Sequence, residues 1–95
     1  MREKNIENKI KAYLKGKGAY HVKYFGNSFS QVGVPDLLAC YKGRFIGIEV
    51  KNETGKTSPL QDYNLASIKR AGGISLVARS VEDVSEVLDK IDKTL

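Results

Sequence analysis

A chain of 95 residues has the length for one hydrophobic core and not for two, because either half of a divided chain would bury too little surface to offset its conformational entropy. With 41% hydrophobic and 28% charged residues and only two prolines, the composition excludes a disordered chain, and no apolar run approaches the roughly 20 residues that span a bilayer. The net charge of +5 lies in residues 1–23, where Arg2, Lys4, Lys9, Lys11, Lys15, Lys17 and Lys23 stand against Glu3 and Glu7, and the rest of the chain balances; such a basic element attracts polyanions, nucleic acid among them, or serves as a solvated helix face.

The polar, charged N-terminus lacks the apolar region of a signal peptide, so an intracellular protein is expected. Cys40 is the only cysteine. It can form no intramolecular disulfide and no zinc site, and the expectation is a buried strand residue.

In chain order, Ile6, Ile10, Tyr13 and Leu14 recur at helical spacing until the cluster Gly16-Lys17-Gly18, which predicts a first helix over 2–15. Tyr20, Val22 and Tyr24 alternate with His21 and Lys23, predicting a strand over 19–25. Residues 26–33 read as a loop with Phe29 and Val32 as apolar anchors. Pro35 suits a strand entry, and Leu37 to Tyr41 continue a second strand, followed by a tight Lys42-Gly43 turn and a third strand from Arg44 to Lys51.

A polar loop, Asn52 to Thr57, precedes a helix start in which Ser58 is the N-cap, Pro59 the first helical residue and Gln61 the third. That helix should end near Ala71, at Gly72-Gly73. Ile74 to Ala78 predict a short strand. Ser80 then caps a last helix with the stripe Val84, Val87, Leu88 and Ile91. The order αβββαβα implies an α/β domain, with a central mixed sheet flanked by helices.

Alternation along the third strand sends Ile46, Ile48 and Val50 to one face and Phe45, Gly47, Glu49 and Lys51 to the other. If Lys42-Gly43 is a two-residue hairpin loop, Tyr41 pairs with Arg44 and Asp36 falls opposite Glu49. Like charges so placed, with Cβ atoms roughly 5 Å apart, repel unless a cation or a shared proton intervenes. Lys51 supplies one charge. A hard divalent ion such as Mg²⁺ fits better, since carboxylate oxygens are its preferred ligands, and it would polarise a phosphodiester and acidify water.

The string Gly33-Val34-Pro35-Asp36, followed after an interval by Glu49-Val50-Lys51, resembles the PD-(D/E)XK nuclease motif, and nearly the whole chain is similar to a stand-alone virus-type replication-repair nuclease (VRR-NUC) domain. The resemblance implies a restriction-endonuclease-like fold and Mg²⁺- or Mn²⁺-dependent cleavage of DNA, with four-way junctions a specific candidate substrate, in a cellular or virus-infected setting. It also implies a site in which Asp36, Glu49, Lys51 and Gln61 act in catalysis. Glu7, Asp36, Glu49 and the Val50 carbonyl would be metal ligands. Gln61 has a second reading as the partner of Ser58 in a capping box, and Glu7 as one more solvated helix charge.

Lys9, Lys11 and Lys15 are the expected DNA-binding residues. Tyr63 and Phe29 are read as core residues before base-stacking ones, and His21 is given no role. Two coordinated cuts in a junction are most simply supplied by a homodimer, and the acidic last helix, with Glu82, Asp83, Glu86, Asp89 and Asp92, offers a face for a basic partner surface. Rival readings are a non-catalytic nucleic-acid binding module, a sequence-specific restriction-type endonuclease, and a protein-interaction domain with surface acids.

Overall fold

The computed structural model describes residues 1–26 and 32–95; Phe29 lies outside the described residues. Its elements are α1 (Glu3–Gly16), β1 (Tyr20–Lys23), β2 (Leu37–Tyr41), β3 (Arg44–Val50), α2 (Pro59–Arg70), β4 (Ile74–Ala78) and α3 (Val81–Lys93). The αβββαβα order is the expected one, and the boundaries fall within two residues of those the sequence predicts. No helix among the described residues is long and apolar enough to cross a membrane.

The four strands form one mixed sheet in the order β1-β2-β3-β4, antiparallel through β3 and parallel between β3 and β4. Parallel pairing of β3 with β4 needs a crossover, and α2 is that crossover. The β2–β3 hairpin turns on Lys42 and Gly43, both at positive φ (48° and 80°), the combination that matches a two-residue loop to the right-handed twist of its strands. Tyr41 therefore pairs with Arg44 and Leu37 with Ile48.

One face of the sheet carries the core. Ile6, Ile10 and Leu14 of α1, and Val84, Leu88 and Ile91 of α3, close over Leu37, Ala39, Ile46, Ile48 and Val50. Helix α2 covers the other face over β3 and β4, and the missing side chain of Gly47 leaves the room that Ile68 fills, a Cβ there lying 2.6 Å from Ile68 Cδ1. This second layer is held by polar ties as well as packing: Asn64 Nδ2 donates to the carbonyls of Val32 (3.2 Å) and Leu60 (2.9 Å), and Ser75 Oγ to that of Leu65 (2.7 Å).

Because α2 stops short of β1 and β2, the strand residues on that side stay open. Tyr20 is 72% exposed and Val22 41%, while His21 and Lys23, on the polar side of β1, are the half-buried ones. Cys40, paired with Tyr20, is exposed and not buried as its apolar strand suggested. Alternation predicts which residues share a face; it does not predict which face a helix covers.

Candidate active site

Asp36 stands one step beyond the Leu37–Ile48 pair, opposite Glu49. Two backbone bonds fix it there: the Val50 amide donates to Asp36 Oδ2 (2.9 Å), and the Tyr24 amide to the Asp36 carbonyl (2.8 Å). The preceding Gly33 is at φ +87°, and a Cβ there would lie 2.7 Å from the Leu60 backbone. The segment that delivers Asp36 is thus pressed against the first turn of α2, and only glycine combines that backbone conformation with that clearance.

Glu49 is 2% exposed. Its Oε2 accepts a hydrogen bond from Gln61 Nε2 (3.1 Å) and lies 3.5 Å from Lys51 Nζ. Burial, then the charge of Asp36 and a hydrogen bond between the two carboxyls, push the Glu49 pKa up to about 7, with Lys51 pulling the other way. Near neutral pH the Glu49 carboxyl is therefore partly protonated.

Gln61 serves two partners. Its Oε1 accepts from the Ser58 amide (2.9 Å) and its own amide donates to Ser58 Oγ (3.2 Å), completing a capping box, while Nε2 remains free to donate to Glu49. The cap dictates the amide orientation. The two readings of Gln61 are thus compatible: the start of α2 is anchored and the Glu49 carboxylate is held by the same side chain.

Glu7 lies on α1 and is buried, at the edge of the apolar stripe. It does not touch Asp36 directly. Lys23 stands between them, its Nζ 2.6 Å from Glu7 Oε1 and 3.7 Å from Asp36 Oδ1, and Lys11 lies 3.0 Å from Glu7 Oε2. Burial alone would raise the Glu7 pKa, but Lys23 and Lys11 outweigh it and hold the carboxyl below its usual value. Burial likewise opposes charge on Lys23, and Glu7 and Asp36 reverse it, so the Lys23 pKa is raised.

The structure thus brings together Asp36, Glu49, Lys51, Gln61 and the Val50 amide, the amide and not the carbonyl of Val50 being the group that meets Asp36, and adds Glu7 through Lys23. The three lysines expected to bind DNA divide. Lys11 is half-buried against Glu7, Lys15 is exposed one turn further along, and Lys9 lines a separate cleft with Ile6, Glu53 and Arg79. Among the described residues, no three His, Cys, Asp or Glu side chains converge as a ready cage. Asp36 and Glu49 do converge, and a pair of carboxylate oxygen donors fits a hard divalent ion that retains several waters.

Three contributors carry no signal strong enough to find in the sequence: Lys23, Asn64 and Arg79. Arg79 Nη1 donates to the carbonyls of Asn52 (2.6 Å) and Gly55 (2.7 Å), anchoring the loop that follows Lys51. Lys23 belongs to a basic run, but only the β1–β2 register, which pairs it with Leu37, reveals its neighbour.

Neither the sequence models of known families nor the curated proteins contain a match to this chain. Solved structures do. A protein described as a VRR_NUC domain superposes with a TM-score of 0.75 at 25% identity, over 92% of this chain and 94% of its own. A second VRR_NUC domain protein gives a TM-score of 0.76 at 18% identity, over 94% and 86%. Hjc, a Holliday junction resolvase of Archaeoglobus fulgidus, gives 0.62 at 22% identity, over 79% of this chain and 65% of its own. The chain is therefore similar in fold, over nearly its whole length, to the two VRR_NUC domain structures, and Pro35, Asp36, Glu49 and Lys51 are the residues on which its sequence resemblance rests.

Proposed function

We propose that this protein is a Mg²⁺- or Mn²⁺-dependent endodeoxyribonuclease that hydrolyses phosphodiester bonds in branched DNA, four-way junctions above all, inside a cell or an infected cell. One observation carries the reading: Asp36 and Glu49 are held against each other with Lys51 3.5 Å from Glu49. A purely structural domain, or one that only binds nucleic acid, gains nothing from burying Glu49 beside a second carboxylate, that of Asp36. The likeness to VRR_NUC domains and to a junction resolvase supports the substrate class.

When bound, the divalent ion would supply Lewis acidity toward the phosphodiester and a lowered pKa for water. Asp36 and Glu49 would hold it, Asp36 with its carboxylate already oriented by the Val50 amide. Lys51, two residues along the same face as Glu49, would orient the attacking water or stabilise charge developing on the phosphate. Gln61 would keep Glu49 from rotating away, and would do so from a helix start fixed by Ser58.

The test is cleavage of labelled linear, flap and four-way DNA with Mg²⁺ or Mn²⁺. Junction DNA should be cut, and Asp36→Ala, Glu49→Ala and Lys51→Ala should each lose about 100-fold or more in rate while remaining folded. Cleavage at the parental rate by folded Glu49→Ala protein, or undiminished activity in excess EDTA, would refute the assignment.

A further inference from the structure

The acidic cluster already contains a cation of its own. Lys23 Nζ sits 2.6 Å from Glu7 Oε1 and 3.7 Å from Asp36 Oδ1, with the Lys23 and Glu7 side chains 22% and 8% exposed. Its place is set by the backbone. The register pairs Lys23 with Leu37, and the next amide, that of Tyr24, donates to the Asp36 carbonyl. The Lys23 ammonium is therefore directed along the sheet end toward the carboxylates, not into solvent.

Charge matching makes the consequence sharper. Glu7, Asp36 and Glu49 carry three carboxylates, and Lys11, Lys23 and Lys51 lie within 4 Å of them as three ammonium groups. A fully ionised cluster is already neutral before any divalent ion arrives. Glu7 Oε2 is buried and has the Lys11 ammonium 3.0 Å away, and a carboxylate oxygen with a single such neighbour keeps a lone pair for a further cation.

Resting on the metal-dependent reading above, we propose that Lys23 is a resident counter-cation that occupies the position between Glu7 and Asp36, weakens divalent-ion binding at Asp36 and Glu49, and keeps Glu7 out of the ligand set while it stays. Lysine suits this use, being a compact charge on a flexible stem that can withdraw without disturbing the strand. With Lys23 present the ion binds against a like charge. With its charge removed, the cluster carries a net negative charge and Glu7 becomes available.

The test is calorimetric titration of the metal-free protein with Mn²⁺, without DNA. Lys23→Met should bind Mn²⁺ at least about tenfold more tightly than the parent, a change that one unit charge a few ångströms from a divalent ion imposes even in a water-like dielectric. Lys23→Arg, which keeps the charge, should stay near the parent. Glu7→Gln should weaken binding in both backgrounds, and by more in Lys23→Met, where Glu7 would act as a ligand as well as a charge. Thermal melting confirms that each variant is folded, and Lys23→Gln replaces Lys23→Met if the latter is not. Equal or weaker Mn²⁺ binding by a folded, charge-removed variant overturns the role of Lys23 alone; absence of Mn²⁺ binding in every folded protein overturns the metal-dependent reading with it.

Discussion

Glu49 ties the chemistry of the site to the stability of the fold through a single proton. Its pKa in the folded protein is raised from 4.5 to about 7, so between those values the folded state binds more protons than the unfolded one, and stability falls as pH rises. The accumulated penalty at alkaline pH is on the order of 3 kcal/mol if the whole shift is expressed. Glu7, whose pKa is lowered, acts in the opposite sense and at lower pH. In EDTA, Glu49→Gln should therefore melt above the parent at about pH 8, and the difference should vanish toward about pH 5. A Glu49→Gln melting curve parallel to the parent across this range would show that folding does not raise the Glu49 pKa.

Gln61 permits a separation of roles at the same scale. Gln61→Ala removes both the capping box and the donor to Glu49, so it should cost about 0.5 to 2 kcal/mol of stability and also slow cleavage. Gln61→Glu keeps an acceptor for the Ser58 amide but cannot donate to Glu49 and brings a like charge beside it. Denaturant unfolding should find the helix start little changed in this variant, while turnover drops. Turnover equal to the parent's in Gln61→Glu would leave Gln61 a helix cap and nothing more.

At the scale of elements, α1 divides its lysines between two tasks. Lys11, together with Lys23 of β1, neutralises Glu7, whereas Lys9 and Lys15 are exposed and lie outside that cluster. Replacing Lys9 and Lys15 with Gln should weaken binding to duplex DNA and lower the magnitude of its salt slope by about 0.9 for each phosphate no longer neutralised. Lys11→Gln should change the slope less and the stability more, because it uncovers a buried carboxylate. A salt slope unchanged in the Lys9 and Lys15 variant, measured by fluorescence anisotropy at several salt concentrations, would place the DNA on another surface.

The elements also show what a sequence can disclose. The opposition of Asp36 and Glu49 is legible because a two-residue turn leaves one register, and Lys42-Gly43 is such a turn. The bridge from Glu7 through Lys23 to Asp36 is not, because β1 and β2 are joined by thirteen residues with no comparable turn to set their pairing. Cys40 departs from its expected burial for a related reason. Its strand is apolar and alternates, but whether the outer face of β2 is covered depends on how far α2 reaches, which is a matter of helix length and packing direction that local pattern does not encode.

On the scale of the whole molecule, the described residues present one candidate site, whereas the proposed resolution of a four-way junction requires two coordinated cuts, which a two-fold homodimer would supply most simply. The acidic last helix offers less support for it than its sequence charge suggests. Asp92 accepts from Tyr41 (2.9 Å) and Lys42 (2.6 Å), and Asp83 from the Arg79 amide (2.8 Å), within the same chain. The uncovered sheet face is the better candidate, where Tyr20, Val22 and Phe45 are 72%, 41% and 44% exposed and an apolar patch in contact with a second copy would be removed from water. Sedimentation equilibrium at micromolar concentration should then give a dimer, and Val22→Glu should shift it to monomer. The monomeric variant should keep its metal site and nick a junction once, without the paired second cut. A strict monomer in the parent protein, even with junction DNA bound, would exclude the dimer and leave the chemistry of Asp36, Glu49 and Lys51 untouched.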